Sequence, residues 1–187
     1  MRALPTNIPG VVVIELAPFS DHRGSFERLF DASQFAALGM NPEIVQVNLS
    51  HTERAGTVRG IHYQNPPAEE TKLVRCVRGR SWHALVDARP NAAARFRTET
   101  VELWEGDARA LYVAEGVGHG FQALEDHTAV LYLASGAHAP TCEAGFRPDD
   151  PGLAIPWPLP PSNLSDKDRS WPLLNPAITV DGTVRND

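Results

Sequence analysis

The sequence predicts an all-β fold, an antiparallel sandwich or barrel of short strands, and three observations support this. Gly and Pro, 14 and 16 of the 187 residues, interrupt the chain too often for long helices. Short apolar runs rich in β-branched residues recur between these breaks. The chain also shows no internal repeat or low-complexity tract. Short strands at this spacing are typical of a sandwich or barrel.

The N-terminal half contains two predicted strands and one predicted helix. The apolar run 11–16 is rich in β-branched residues and predicts a strand. A short helix is expected over 32–38, because Asp31 can cap its first turn and Gly39 can end it. The moderate alternation over 44–50 predicts the next strand.

The second half of the chain is dominated by strand signals. The runs 73–77 and 81–87 flank a turn at Arg78-Gly79 and predict a hairpin. Three further strands are expected at 98–103, 108–113 and 130–134. Proline is frequent after Pro156, so we expect a tail with little regular structure that wraps over the surface. One domain over residues 1–187, with this tail from about 156, is therefore predicted.

Composition limits the classes of partner. Hydrophobic residues make up 42 % and charged residues 21 %, a balance typical of globular proteins. A net charge of −6 argues against nucleic-acid binding, although a few buried arginines can still bind a phosphate. No apolar run is long enough for a membrane span, and the first ten residues lack the apolar stretch of a signal peptide. We therefore expect a cytoplasmic protein with no membrane or nucleic-acid partner.

Cysteine usage gives no sign of a disulfide framework or a zinc site. Cys76 and Cys142 are the two cysteines, and no CxxC spacing occurs. A G-x-G-x-x-G motif after a strand, typical of nicotinamide and flavin sites, is also absent from the sequence. No cofactor and no metal are therefore expected.

Polar clusters interrupt otherwise strand-like stretches, and their order is more informative than any one of them. In this order and spacing the chain resembles the dTDP-4-dehydrorhamnose 3,5-epimerases and their relatives in antibiotic-sugar pathways. The resemblance runs from about Ile8 to about Leu174. The matching pieces are DHRGSF, QVNLS, VRGIHYQ, KLVRCVRG, VDAR, GVGHGF, VLY, Glu143 followed by DDP, IPWP and LSDKD.

The resemblance implies a fold, an assembly and a reaction. The fold is a cupin-type jelly-roll β-barrel with a few short helices, usually in a homodimer that exchanges an N-terminal strand. The reaction inverts C3, C5 or both in a dTDP-linked 4-keto-6-deoxyhexose, by proton removal next to the ketone and reprotonation on the opposite face. Such a reaction needs a base, a cation or donor at the ketone oxygen, and an acid.

Four residues match the catalytic positions of the family. His62, in the RG-x-H piece, matches the base, and Asp168 matches the aspartate that orients this histidine. Lys72 matches the lysine that can stabilise the enolate oxygen. Tyr132 matches the acid on the opposite face, and a phenol can give up a proton and recover it later.

The resemblance also implies contacts to the nucleotide. Arg23, Arg59 and Lys167 would contact the diphosphate, because guanidinium forks suit phosphate oxygens. Phe26 would pack against the nucleoside base.

Further polar contacts come from strands. Gln46 and Asn48 lie two residues apart, so a strand would direct both to one face. His119, in GVGHGF, would contact the sugar, and Glu143 matches a family position.

Four departures from the family pattern surround these residues. His83 stands where the family commonly has an aspartate, and Arg28 stands where it tends to have a glutamate, with the acid moved to Glu27. His138 occupies the place of a second tyrosine near the sugar, and 147–148 lack the usual tryptophan. Arg28 and His138 stay among the predicted binding residues. The hypothesis is a specialised branch that acts on a modified 4-keto-6-deoxy sugar.

Two other functions remain open at this point. A metal-dependent cupin would want an H-x-H pair, but His62-Tyr63-Gln64 breaks it, although His119 stands where a last ligand could. A non-catalytic nucleotide-sugar binding module would keep the arginines and lose the acid–base pair, which this chain retains.

Overall fold

Two antiparallel sheets and two short helices make up the computed structural model of the protein, which describes residues 1–93 and 95–174. The six-stranded sheet has the order β1 (Arg2–Pro5), β2 (Val12–Glu15), β10 (Arg109–Val113), β7 (Lys72–Arg78), β12 (Thr128–Ala134) and β5 (Gln46–Thr52). The five-stranded sheet has the order β13 (Glu143–Gly145), β6 (Val58–Gln64), β11 (Val117–Ala123), β8 (Arg80–Asp87) and β9 (Thr98–Trp104). A separate hairpin is formed by β3 (Phe19–Asp21) and β4 (Gly24–Phe26), and the helices are α1 (Ala32–Ala37) and α2 (Asp166–Ser170).

The main core contains buried side chains from both sheets. Val74 and Leu111 come from the six-stranded sheet, and Leu85 and Leu103 come from the five-stranded sheet; each is 0 % exposed. Strands buried on an inner face in this way form a closed β-structure, in agreement with the predicted cupin-type fold. Cys76 is a free thiol within the same core.

The predicted elements occur with small shifts at their ends. The Asp31 side chain accepts hydrogen bonds from Ser33 N and Gln34 N at the start of α1, and Gly39 follows the helix with φ of 74°. The seven predicted strands correspond to β2, β5, β7, β8, β9, β10 and β12. The 78–79 turn joins β7 to β8, and Gly79 adopts φ of 69° there.

Several elements were not predicted. Strands β6 and β11, which carry the RG-x-H and GVGHGF pieces, form the centre of the five-stranded sheet together with β8. In the tail after Pro156, the one helix or strand up to residue 174 is the five-residue helix α2, and residues 175–187 lie outside the described residues. The side chain of Ser165 explains this helix, because it accepts a hydrogen bond from Asp168 N at 3.0 Å and caps its first turn.

Glycines allow β6 and β11 to approach closely. A Cβ on Gly60 would lie 2.7 Å from His119 O, and a Cβ on Gly120 would lie 2.7 Å from Arg59 O. Any side chain at these positions would force the strands apart. This close pairing places His62 directly opposite His119 in the strand register.

Among the described residues, none of the helices is long and apolar enough to span a membrane.

Candidate active site

A cavity of about 460 Å³ lies between the two sheets. One wall comes from β5, β7 and β12, and the other from β6, β11 and β13. Successive residues of a strand face opposite sides, and on β5 and β12 only alternate positions line the cavity: residues 46, 48 and 50, and residues 130, 132 and 134. The predicted site residues that line it are Gln46, Asn48, Arg59, His62, Lys72, His119, Tyr132, His138 and Glu143.

His62 and Asp168 form a hydrogen-bonded pair at this cavity. His62 Nε2 lies 2.5 Å from Asp168 Oδ1, and the side chains are 30 % and 5 % exposed. Neutral imidazole has one donor and one acceptor nitrogen, so an Nε2–H that donates to the carboxylate leaves Nδ1 as the acceptor. A neutral His62 in this tautomer has a basic nitrogen to offer to a bound molecule.

The Asp168 carboxylate is fixed from several sides. Gly60 N donates to its second oxygen at 3.4 Å, and the Ser165 cap holds its backbone. Burial raises the pKa of Asp168, but the hydrogen bond and charge of His62 lower it more, and the net shift is downward. The carboxylate therefore stays ionised and can stabilise His62 when the ring takes up a proton.

Lys72 places an ammonium next to the same histidine. Its Nζ lies 3.5 Å from the backbone oxygen of His62 and 3.2 Å from Glu70 Oε1. The lysine side chain is only 13 % exposed. A cation in such a protected place can stabilise negative charge that develops on a nearby oxygen.

Tyr132 belongs to the sheet that faces His62. It lies on β12, between β5 and β7, while His62 lies on β6. Burial and then the Glu70 carboxylate raise the pKa of Tyr132 above its ordinary value of 10.0, against the opposing charge of Arg59. The phenol is therefore protonated at neutral pH and can act as a proton donor from the wall opposite the histidine.

A line of three side chains supports the floor of the cavity. His119 Nε2 lies 3.0 Å from His83 Nδ1, and His83 Nε2 lies 2.9 Å from Ser81 Oγ. His83 is 0 % exposed and does not line the cavity; it contacts the site through His119. Burial lowers the pKa of His83 to about 3, so an uncharged ring stands behind His119.

The pKa of His119 is also held well below its ordinary value. Burial is the main cause, followed by the charges of His83, Lys72 and His62. His119 is therefore neutral and presents a hydrogen-bonding ring rather than a charge to the cavity.

The outer part of the cavity carries polar groups suited to an elongated ligand. Gln46 and Asn48 both face it from β5, as their spacing predicted. Arg59 is held by hydrogen bonds from Nε to Thr52 Oγ1 (3.1 Å) and from Nη2 to His51 O (3.0 Å). These bonds fix the guanidinium at the rim and leave donor groups available to a phosphate.

The Glu143 carboxylate bonds to two side chains at one end of the cavity, His138 and Lys167. His138 Nε2 lies 3.3 Å from Glu143 Oε2, and Lys167 Nζ bonds to the other carboxylate oxygen. Burial raises the pKa of Glu143, but the bonds from Lys167 and His138 outweigh it and lower the pKa overall. The structure thus brings His138 and Lys167 to the site through a shared carboxylate.

Arg23, Phe26 and Arg28 are not brought to this cavity. Arg23 and Phe26 lie on or beside the exposed β3–β4 hairpin, where Arg23 pairs with Asp21 at 2.6 Å. Arg28 pairs instead with Asp31 at 3.1 Å, because the turn before α1 directs it to the helix cap. Glu27 faces a different way from Arg28 and pairs with Arg75.

The sequence prediction missed residues that line the cavity, above all Glu70, with Ser50 and Tyr63. A signal for Glu70 was available, because it lies two residues before Lys72 in an extended segment. Residues two apart in extended chain face the same side.

In the ranges 1–93 and 95–174, no group of three or more His, Cys, Asp or Glu side chains could hold a metal ion. The ligand set that a metal-dependent cupin requires is not found there, because His62 bonds to Asp168 and His119 bonds to His83.

Comparisons with known proteins identify the family of this chain. The family model described as dTDP-4-dehydrorhamnose 3,5-epimerase matches residues 5–176. A dTDP-4-dehydrorhamnose 3-epimerase of Streptomyces niveus is 39 % identical over 175 residues, 93 % of this chain and 84 % of the relative. A dTDP-4-dehydrorhamnose 3,5-epimerase of Streptomyces griseus is 39 % identical over 171 residues, 90 % of this chain and 84 % of the relative.

A solved structure has the same fold. The crystal structure of dTDP-4-dehydrorhamnose 3,5-epimerase from Bacillus anthracis, with TDP and PPi bound, superimposes with a TM-score of 0.89 at 34 % identity. The match covers 92 % of this chain and 99 % of that protein.

Proposed function

The chain belongs to the dTDP-4-dehydrorhamnose 3,5-epimerase family, and on this premise we propose that it epimerises a dTDP-linked 4-keto-6-deoxyhexose. The observation that carries the proposal is the placement of His62, paired with Asp168, and Tyr132 on facing walls of one cavity. Inversion at carbon needs a base on one face of the sugar and an acid on the other. His62 on one sheet and Tyr132 on the other can supply this base and this acid from opposite sides of the cavity.

The proposed reaction begins with proton removal from the carbon next to the ketone. Nδ1 of His62 takes the proton, and the C–H electron pair moves into the enolate, whose negative charge rests on the former ketone oxygen. Lys72 stabilises that oxygen, and Asp168 stabilises the imidazolium. Tyr132 then protonates the same carbon from the opposite face. The resulting phenolate takes up a proton from solvent, and the His62 imidazolium releases its proton to solvent, so both groups return to their starting forms.

The remaining polar side chains of the site bind the substrate in this proposal. Arg59 contacts the diphosphate, Gln46 and Asn48 add hydrogen bonds, and His119 contacts the sugar. Glu143 orders the sugar end of the cavity through His138 and Lys167. All these groups exist within residues 1–187, which we propose to form one epimerase domain.

A homodimer is part of the proposal. The edge strand β5 exposes Val47 (63 %) and Leu49 (52 %), and the β3–β4 hairpin exposes Phe19 and Phe26. Exposed apolar side chains along a strand edge favour pairing with a second chain. The resemblance implies roles at the nucleotide for Arg23, Phe26 and Arg28. In such a dimer, residues of the partner copy would take these roles. Sedimentation should then give twice the monomer mass of 20.4 kDa.

Overall sequence identity does not indicate which carbon is inverted, and we propose that the shape of the cavity decides it. A 3-epimerase and a 3,5-epimerase are equally identical to this chain. We propose a specialised branch of the family, because His83 and His138 change the surroundings of the sugar but leave His62, Lys72, Tyr132 and Asp168 in place. A nucleotide-sugar substrate of this kind also agrees with the expected cytoplasmic location, which stays a prediction.

Proton NMR in deuterium oxide tests the function. With dTDP-4-keto-6-deoxyglucose, we expect the C3 proton signal, the C5 proton signal or both to disappear as solvent deuterium enters. His62→Ala should slow this exchange by about 10²–10⁴-fold. His127→Asn, which changes an exposed histidine between β11 and β12, is the control and should keep the wild-type rate.

Each outcome has a distinct meaning. Exchange at C3 alone identifies a 3-epimerase, and exchange at both centres identifies a 3,5-epimerase. Inversion of both centres as fast as in ordinary family members would contradict the specialised branch. A wild-type protein that binds this nucleotide sugar without any exchange would contradict epimerisation of it and favour the non-catalytic binding module.

A further inference from the structure

Glu70 is an acidic side chain inside the cavity that none of the roles above uses. It precedes β7, lines the same cavity as His62 and Tyr132, and its side chain is only 11 % exposed. An ionised carboxylate in so protected a place is costly unless it is paired. Its position therefore calls for a functional explanation.

The backbone around Glu70 is held in place by the end of β12. Thr71 N donates to Ser135 Oγ at 2.8 Å, and Ser135 N donates to Thr71 O at 3.1 Å. The chain passes so close to Gly136 that a Cβ there would lie 3.2 Å from Glu70 Cβ. The carboxylate thus projects from a fixed point rather than from a loose loop.

Lys72 is the partner of this carboxylate. An ammonium has three N–H donors. Its Nζ forms an ion pair with Glu70 Oε1 at 3.2 Å and donates a long hydrogen bond of 3.5 Å to the backbone oxygen of His62. The ammonium therefore keeps N–H donor capacity for a ligand atom. Without Glu70, the long contact alone would have to hold a flexible four-carbon side chain in place.

Other charged and titratable groups also face Glu70 across the cavity. They come from β6, β7, β11, β12, β13 and residue 138: Arg59, His62, Tyr63, Lys72, His119, Tyr132, His138 and Glu143. Of these, Tyr132 is affected directly, because the Glu70 carboxylate adds to burial in raising the pKa of its phenol. A protonated phenol is the form that an acid requires.

We propose that Glu70 is a positioning residue for the epimerisation: it anchors the Lys72 ammonium so that one donor points to the oxygen on which the enolate charge forms. This inference rests on the proposed function. In the reaction Glu70 neither gains nor loses a proton. It acts through Lys72, and its charge also favours the protonated form of Tyr132.

Two variants and a control test this role by deuterium exchange into dTDP-4-keto-6-deoxyglucose. Glu70→Ala removes the anchor, and we expect kcat to fall by about 10–100-fold with KM nearly unchanged, since misplacement of a catalytic group by about 1 Å costs up to that much. Glu70→Gln keeps an oxygen that can accept from the ammonium, so its kcat should lie between those of Glu70→Ala and the wild type. Glu69→Gln makes the same change in charge one residue away and should behave as wild type.

The pH profile separates this role from a merely structural one. Glu70→Gln removes one of the causes that raise the pKa of Tyr132, so the phenol should lose its proton at lower pH. The alkaline fall in kcat should therefore shift to lower pH in Glu70→Gln and stay in place in Glu69→Gln. A side chain that only supports the fold would not move this limb.

The outcomes distinguish the inference from the function on which it rests. Wild-type exchange with a Glu70→Ala variant of equal kcat would overturn the inference alone. If Glu70→Ala does not fold, an unchanged kcat and an unshifted alkaline limb in Glu70→Gln would overturn it. A wild type that binds this nucleotide sugar without any exchange would overturn the proposed function, and the inference with it.

Discussion

Acidification from pH 7 to pH 5 should destabilise this protein by about 2 kcal/mol through His83 alone. The ring is 0 % exposed and lies between Ser81 Oγ at 2.9 Å and His119 Nε2 at 3.0 Å. Burial lowers the pKa of His83 to about 3, so the folded protein keeps this ring neutral at pH 5.

The sign follows from the difference in proton binding between the two states. The pKa of His83 is lowered in the folded state, and in the unfolded chain the ring binds a proton near its ordinary pKa of 6.5. The stabilising contribution of a neutral His83 is therefore present above pH 6.5 and is lost as the pH falls from 6.5 towards 3.

The magnitude comes from the same two values. At pH 5 the unfolded state gains about 2 kcal/mol from protonation of this histidine, and at pH 7 it gains almost nothing, which leaves a loss of about 2 kcal/mol. Protonation of His119 also destabilises the folded protein at low pH. Its ring is partly exposed to the cavity, so the value of about 2 kcal/mol refers to His83 alone.

Urea unfolding at pH 7 and pH 5 measures this loss. His83→Asn is the informative variant, because a shorter amide can still bond to His119 but does not titrate. The wild type should lose about 2 kcal/mol more than His83→Asn between the two pH values. His22→Asn, which changes an exposed histidine, is the control and should keep the wild-type loss. Equal losses in the wild type and His83→Asn would refute a neutral buried ring.

Two further predictions test the acid and the strand pairing. Tyr132→Phe should retain deuterium exchange through His62 but lower formation of the inverted sugar by about 10²–10⁴-fold, measured by NMR; an equal fall in both would contradict separate base and acid roles. Gly120→Ala should lower the free energy of unfolding in urea by about 1–3 kcal/mol, because the new Cβ would lie 2.7 Å from Arg59 O and from Ile61 Cδ1. Wild-type stability in this variant would contradict the close approach of β6 and β11.

Helices and turns could be predicted from the sequence where a single residue marks the point at which they begin or end. Asp31 and Gly39 delimit α1, and Gly79 marks the turn between β7 and β8. Strands β6 and β11 were harder to recognise, because glycines and polar side chains break their apolar pattern. Those glycines are required by the contact between the two strands, and a contact of this kind cannot be read from one segment alone.

Site residues that belong to a recognisable sequence motif could be predicted. Residues that reach the site only through contacts between distant segments were harder to predict. The cavity brings together His62, Lys72 and Tyr132, and Asp168 reaches His62 from a tail in which no helix was expected. Glu70 was missed because an acidic residue in a loop is usually solvated. Only the approach of β12 to this loop shows that its carboxylate is enclosed.

The departures from the family pattern do not all act in the same way on the site. His83 contacts two residues that line the cavity, His119 by a hydrogen bond and Phe121 by ring packing, so it changes the hydrogen bonding and charge behind the cavity wall without entering the cavity. His138 acts on the exposed side of Glu143, at the far end of the same cavity. Neither contact involves the His62–Asp168 pair. In the mechanism proposed above, both departures therefore change the polarity that a sugar meets in the cavity, and they leave His62 and Tyr132 to act on the carbon that this cavity places between them.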